Sequence, residues 1–147
     1  MEIFNRKAKY DYFILDEYEC GIALTGTEIK SIRRGSCSLG DSYGIIKKNE
    51  LYILNMFISP YNEGNIHNHI ETRTRKLLVH KSEIKKLNEK VHLEGYTLIP
   101  LKLYFKNNIA KILLGVCKGK KNFDKRETIK QRDITREINK ANKLNVN

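Results

Sequence analysis

Over its first three-quarters the chain alternates apolar and polar positions in short runs, and then it stops doing so. Residues 10–15 read as a strand, Asp16-Glu17 as a turn or kink, and residues 18–24 as a further extended run with a bulge at Gly21. Thr25-Gly26-Thr27-Glu28 has the form of a capping box, in which Thr25 and Glu28 satisfy each other's backbone donors. Ile29 and Ile32 then share a helix face, Arg33 and Arg34 sit at the negative end of its dipole, and Gly35 supplies a left-handed stop. Lys30 and Arg34, four apart, give this helix an outward basic side. After a loop at 36–40, strands are predicted over 41–47 and 51–58 around a turn at Lys48-Asn49-Glu50. The polar stretch 59–69 is long for a loop in a compact chain. Arg73-Thr74-Arg75-Lys76 runs directly into Leu77-Leu78-Val79. Ile84, Leu87 and Val91 predict a second helix over 82–92, stopped by Gly95. Residues 96–105 alternate, with Ile99, Leu101, Leu103 and Phe105 on one face, and Pro100 suggests an edge position because it cannot donate to a ladder. Lys106-Asn107-Asn108 then turns the chain into 109–117, where Ala110, Ile112, Leu114 and Val116 alternate, which makes this the most secure hairpin in the sequence.

About six short antiparallel strands interrupted by two helices describe a mainly β protein. Closure removes edges from so few strands, so an OB-like antiparallel barrel is expected, with two to three flanking helices. The core is expected to end at residue 117. Gly119 lets the backbone leave the last strand, and residues 118–147 form a flexible basic tail. Within that tail Ile134, Ile138, Ala141 and Leu144 make a narrow helical stripe, too little to hold a helix in water without a partner.

Charge sharpens this picture. The formal net charge is +11. Residues 118–147 carry ten Lys/Arg against four Asp/Glu, and the first 117 carry eighteen against thirteen, so body and tail are both basic. Such a chain suits a polyanion. Phe123, set among Lys118, Lys120, Lys121, Lys125 and Arg126, is what a phosphate-tracking, base-stacking arm would need, although a solvated basic run accounts for the composition equally well. No apolar run approaches the ~20 residues of a membrane span. Met1-Glu2-Ile3-Phe4-Asn5-Arg6-Lys7 has no signal-peptide core, so a cytosolic protein with no membrane partner is expected. Cys20, Cys37 and Cys117 lack paired spacing and read as reduced thiols. His67, His69 and His80 have no further ligands at recognisable spacing, so no metal or other cofactor is expected and solvent-facing loop histidines are the simpler reading. Asp16, Glu17, Asp41 and Asp124 stand without a His or Cys in a catalytic pattern, and no glycine-rich phosphate loop is present, which favours binding over catalysis.

Several strings are specific. They are Asn5-Arg6-Lys7-Ala8, Tyr12-Phe13-Ile14, Glu19-Cys20-Gly21-Ile22-Ala23-Leu24, Gly26-Thr27-Glu28-Ile29-Lys30-Ser31-Ile32-Arg33, Asp41-Ser42-Tyr43, Arg73-Thr74-Arg75-Lys76-Leu77-Leu78, Glu94-Gly95-Tyr96-Thr97, and Gly115-Val116 through Lys118-Gly119-Lys120-Lys121 to Asp124-Lys125-Arg126. In this order, and across essentially the whole chain, they resemble the small protein B family, the SsrA-binding proteins that partner transfer-messenger RNA. The resemblance implies an OB-like barrel with a long C-terminal tail and a task in rescuing ribosomes stalled on messages without a stop codon. The barrel would bind the elbow of the tRNA-like domain, standing in for a missing anticodon arm. The tail, unfolded when free, would become helical in the vacant message channel. The tagging reaction would belong to the RNA and the ribosome, so the protein is not expected to be an enzyme, and it is expected to act as a monomer.

Carried onto matching positions, the resemblance implies an RNA-facing set of Asn5, Glu19, Leu78 and Lys111. Arg6, Lys7, Lys30, Arg33, Arg73 and Arg75 would add cations for the RNA, which suits their charge-assisted bonding to phosphate. A carboxylate such as Glu19 makes sense beside RNA only if it accepts from a base edge or orients a cation. Without an RNA role, Glu19 is a surface strand residue and Leu78 a plain core residue. Lys118, Lys120, Lys121, Phe123, Asp124, Lys125 and Arg126 would lie at the decoding centre, with Lys130, Arg132 and Arg136 following into the channel. The chain departs from part of the family at Phe123, where a histidine is common; a phenyl ring can stack but cannot donate a hydrogen bond. The rival readings are a general or ribosomal single-strand RNA-binding barrel and, from a different class, an RNA-processing enzyme.

Overall fold

The computed structural model describes residues 1–61 and 68–144. Its elements in order are β1 (Glu2–Phe4), α1 (Ala8–Asp11), β2 (Tyr12–Ile22), α2 (Gly26–Arg33), β3 (Cys37–Ser38), β4 (Tyr43–Lys47), β5 (Glu50–Leu54), β6 (Phe57–Ile58), β7 (Arg75–Leu78), α3 (Lys81–His92), β8 (Thr97–Lys106), β9 (Ile109–Gly119) and α4 (Asn122–Leu144). Hydrogen-bonded neighbours run β8–β4–β5–β7–β2–β9 and return to β8, so six antiparallel strands form the barrel, and β1 pairs with β8 from outside. β3 and β6 make a separate two-stranded sheet.

Two tight turns fix the register of the hairpins. Lys48 and Asn49 between β4 and β5, and Asn107 and Asn108 between β8 and β9, all have positive φ (51°, 61°, 53° and 63°), the geometry of two-residue type I′ loops that asparagine tolerates best. Inside the ring, Cys20, Leu51, Ile53, Leu77, Leu98, Leu103, Ile112 and Leu114 are fully buried, and Ile32 of α2, Leu87 of α3 and Met56 close the barrel. Each such Leu or Ile contributes about 1.5–3 kcal/mol by leaving water. The capping box forms as expected: the Glu28 N–H donates to Thr25 Oγ1 at 3.4 Å, and the Thr25 N–H donates to Glu28 Oε1 at 2.9 Å.

The structure corrects several expectations. Residues 8–11 are a short helix, and Asp16-Glu17 is no turn: β2 is one eleven-residue strand. Its register shift against β9 falls between Ile14 and Asp16, not at Gly21. Pro100 is not on an edge. It lies at the register shift of β8 between Pro100 and Lys102, where the neighbour of β8 on its other side changes from β4, at Leu98, to β1, at Lys102. The extra residue flips the alternation. Leu98, Leu103 and Phe105 therefore serve the inner core, whereas Ile99 and Leu101 join Ala8, Tyr12, Ile14 and Cys117 in a second cluster outside the barrel. The run 51–58 is two strands, broken at Asn55 with φ of 60°. β9 continues to Gly119, where Lys118 and Gly119 still pair with Phe13 and Tyr12.

Candidate nucleic-acid interface

Sheet register assembles the central part of the site. Gly21 of β2 pairs with Leu78 of β7 on one side and Lys111 of β9 on the other, and Lys111 pairs in turn with Tyr104 of β8. Leu78, Gly21, Lys111 and Tyr104 thus form one row across four strands. Glu19, two residues from Gly21, projects from the same face. Leu78, Gly21 and Lys111 of this row floor a groove of about 400 Å³ that Glu19, Val79, His80 and Glu83 also line. Leu78 is 51% exposed, so it is not a core residue. A Cβ at position 21 would come within 3.2 Å of the Leu78 Cβ, and glycine is what lets Leu78 lie across the strand. Three of the four residues carried over as RNA-facing therefore share one groove.

Glu19 is held there as an anion. The Tyr104 hydroxyl donates to Glu19 Oε2 at 2.5 Å, and Lys106 Nζ lies 3.6 Å from Oε1. The Tyr104 hydrogen bond, opposed by a small burial effect and helped by Lys106 and Lys111, lowers the Glu19 pKa below its ordinary value. Burial, and then the bond to Glu19, pushes the Tyr104 hydroxyl up to about 12, so it remains a donor at neutral pH. Tyr104 and Lys106 were not singled out in the sequence. Tyr104 stands opposite Lys111 in the hairpin register, which is the signal that finds it.

The fourth residue, Asn5, lies elsewhere. Its side chain is buried, and Nδ2 donates to the carbonyls of Pro100 (2.9 Å) and Leu39 (3.3 Å), so its donors hold the N-terminal segment to β8. Its Oδ1 is buried without a partner among the described residues. Arg6 and Lys7 beside it are exposed.

Arg73 and Arg75 divide. Arg75 is fully buried and donates to Glu28 Oε2, to the Met56 carbonyl (2.6 Å) and to the Glu71 carbonyl (3.2 Å). It is a structural cation, and its expected place among the phosphate contacts is corrected: no part of it reaches solvent. Arg73 is 36% exposed and donates to Glu28 Oε1 at 2.6 Å, which leaves it partly open to a ligand. Burial pushes the Glu28 carboxyl up, but hydrogen bonds from Arg73, the Thr25 N–H and Arg75 outweigh it and leave the pKa lowered. One carboxylate thus caps α2 and ties it to β7 and the segment before it. The exposed cations of α2 depend on that tie. Lys30 Nζ and the Arg34 guanidinium lie 5.4 and 4.5 Å from the Tyr61 ring centre, and Arg33 lies 4.5 Å from that of Phe105.

Of the loop histidines, His67 lies outside the described residues. His80 is exposed, whereas His69 is half-buried: Nε2 donates to the Ile58 carbonyl (2.9 Å), and Nδ1 hydrogen-bonds the Thr27 hydroxyl (2.9 Å).

The cations after β9 also divide. Lys120 donates to the Lys9 carbonyl (2.8 Å) and to Thr128 Oγ1 (2.7 Å), and Lys125 Nζ lies 3.5 Å from Asp11 Oδ1. Lys125 and Arg132 flank the Tyr10 ring at 5.7 and 6.0 Å. Asp124 accepts from the Lys121 N–H at 3.2 Å, in the first turn of α4. Lys118, Lys121, Arg126, Lys130 and Arg136 are exposed, and Phe123 is 64% exposed. Arg132 and Arg136 also overhang a cleft of about 500 Å³ that Asn5, Arg6, Ile14 and Leu101 line.

An antiparallel barrel with an acceptor-and-cation groove on its outer face, a basic helix beside it and a second basic helix after it defines a nucleic-acid-binding protein. Comparison with known proteins narrows that class. A family model described as SmpB protein matches residues 2–144, and the chain belongs to that family. It is 56% identical over 137 residues to the SsrA-binding proteins of Staphylococcus epidermidis and Bacillus subtilis, covering 93% of this chain and 88% of each relative. The SsrA-binding protein of a Geobacillus strain is 57% identical over the same length. A chain from a solved structure described as "tmRNA-SmpB: a journey to the center of the bacterial ribosome" matches with a TM-score of 0.70 and 47% identity, covering 82% of this chain and 85% of that one.

Proposed function

We propose that this protein binds the tRNA-like domain of transfer-messenger RNA with its barrel and delivers that RNA to stalled ribosomes, where its basic C-terminal helix probes the empty message channel. The observation that carries the reading is the groove of Glu19, Leu78 and Lys111, because register alone brings these three residues from separate strands to one exposed face. Lys111 supplies a cation to phosphate, Leu78 an apolar surface to a ribose or base, and Glu19 an acceptor to a base edge. Lys30, Arg33, Arg6, Lys7 and the open side of Arg73 extend the footprint for the RNA backbone. In the tail, Phe123 stacks on a base of the decoding centre, and Lys121, Arg126, Lys130 and Arg136 follow the channel's phosphates. The protein contributes no bond-making step. It works in the cytosol, and its three cysteines stay free thiols.

A competition binding assay at fixed moderate salt tests this. It compares the tRNA-like domain with ordinary tRNA and single-stranded RNA, using the full chain and a truncation after Lys121 that keeps all of β9. Strong preference for the tRNA-like domain, retained by the truncation, is expected. Equal binding to all three RNAs, lost with the tail, would mean general electrostatic binding and overturn the assignment.

A further inference from the structure

We infer that Tyr104 is a positioning residue for RNA recognition: it stretches Glu19 across β9 and fixes the carboxylate as an outward-facing acceptor in the groove. The inference rests on the function proposed above and adds a residue to it. The geometry is specific. Glu19 belongs to β2 and Tyr104 to β8, with β9 between them, so the two backbones lie roughly 10 Å apart and both side chains must reach over the intervening strand. A surface glutamate left alone samples many rotamers and loses that freedom when it binds. Tyrosine has only two side-chain torsions. Tyr104 is half-buried, and Lys102 Nζ sits 5.0 Å from its ring centre, so it is the stiffer partner of the bond.

Donation at 2.5 Å occupies one direction at Oε2, and Lys106 stands off at 3.6 Å from Oε1, which keeps acceptor capacity on the outer side of the carboxylate. Lys111, between the two strands, adds positive potential, and the Tyr104, Lys106 and Lys111 groups all favour the ionised form of Glu19. At neutral pH Glu19 is charged with or without Tyr104. Losing the tyrosine hydroxyl therefore removes orientation and leaves charge in place.

The test combines a titration with a double-mutant cycle. In the free protein, NMR titration of Glu19 in Tyr104→Phe should show its pKa moved up toward the ordinary carboxylate value; an unmoved pKa would overturn the inference without reference to RNA. With the tRNA-like domain as the probe at pH 7, Tyr104→Phe should weaken binding about fivefold to tenfold, the worth of one hydrogen bond. Glu19→Gln should weaken it at least as much, and the double variant no further than Glu19→Gln alone. If Glu19→Gln binds normally, the functional reading of the groove fails. If Glu19→Gln weakens binding and Tyr104→Phe does not, or the two losses simply add, Tyr104 does not act through Glu19.

Discussion

Lys111 and Lys130 are both proposed to meet RNA, and the fold treats them in opposite ways. Lys111 sits in the middle of a β-ladder, with Gly21 on one side and Tyr104 on the other, so its backbone cannot move without unpairing three strands. Lys130 projects from a helix whose apolar residues Ile129, Ile134 and Ile138 remain 42–55% exposed and whose described ties to the rest of the chain, around Lys120, Lys125 and Arg132, are few. Exposed ion pairs of that kind contribute ~0–1 kcal/mol each. In the barrel the chain has already met the entropy of ordering its contact residues; along the helix a partner must supply most of it. The contrast fits two kinds of recognition, one that reads a fixed RNA shape and one that tests whether a channel is empty.

The comparison breaks first at the buried ion cluster. Arg75→Ala leaves Glu28 without its fully buried partner and should destabilise the barrel by about 3–5 kcal/mol. Urea unfolding followed by circular dichroism reads this, and a loss below 1 kcal/mol would mean that the cluster does not hold the site. Ile112→Ala opens a cavity in the same core and should cost about 2–5 kcal/mol.

Acid gives the next largest effect. Because the Glu28 pKa is lowered in the folded state, its contribution is complete above the ordinary value of 4.5 and is lost as pH falls through the lower folded value. The thermal midpoint should therefore drop below about pH 4.5 in the parent. Glu28→Gln should start lower at pH 7 and fall less on acidification; parallel curves for the two proteins would exclude Glu28 as a source of the acid loss.

The tail should behave differently under every one of these tests. Phe123→Ala should leave the unfolding midpoint within ~0.5 kcal/mol of the parent, since the ring is already in water. It should nevertheless reduce ribosome binding by the ~1–3 kcal/mol of one stacked base, with Phe123→Tyr retaining it. The ring does not titrate, so its contribution should be constant between about pH 5.5 and 8. Full rescue activity in Phe123→Ala would remove stacking from the tail's role. The smallest effect is expected at Lys30→Ala, where transfer-messenger RNA affinity should weaken modestly and the salt slope should decrease by about one.

How much of this was legible from residues alone depended on where the physics was local. The capping box at Thr25 and Glu28, the asparagine turn at 107–108 and the helix around Ile84 and Leu87 depend on neighbours a few positions away, and the pattern gave each of them. The bulges at Ile14/Asp16 and Pro100/Lys102 depend on which strand lies opposite, so no single-strand pattern placed them, and the faces of Ile99 and Leu101 were misassigned as a result. The same holds within the site. Arg73 and Arg75 are two residues apart in one basic run, yet Arg73 is partly exposed and Arg75 is sealed around Glu28. Only the fold separates a cation left open to solvent from one that holds the protein together.

The two bulges also bear on what can be trimmed from this protein. Because each reverses which side of its strand faces inward, β2 and β8, together with Cys117 of β9, carry a second apolar surface on the outer wall of the barrel, roofed by Ala8 and Tyr12 and braced where Asn5 donates to Pro100. The first dozen residues are thus the lid of a small annexe built against the outer wall. Removing them would unroof that annexe while the barrel stood, and Ile14, Leu101 and Cys117 would then face water beneath the start of the tail helix.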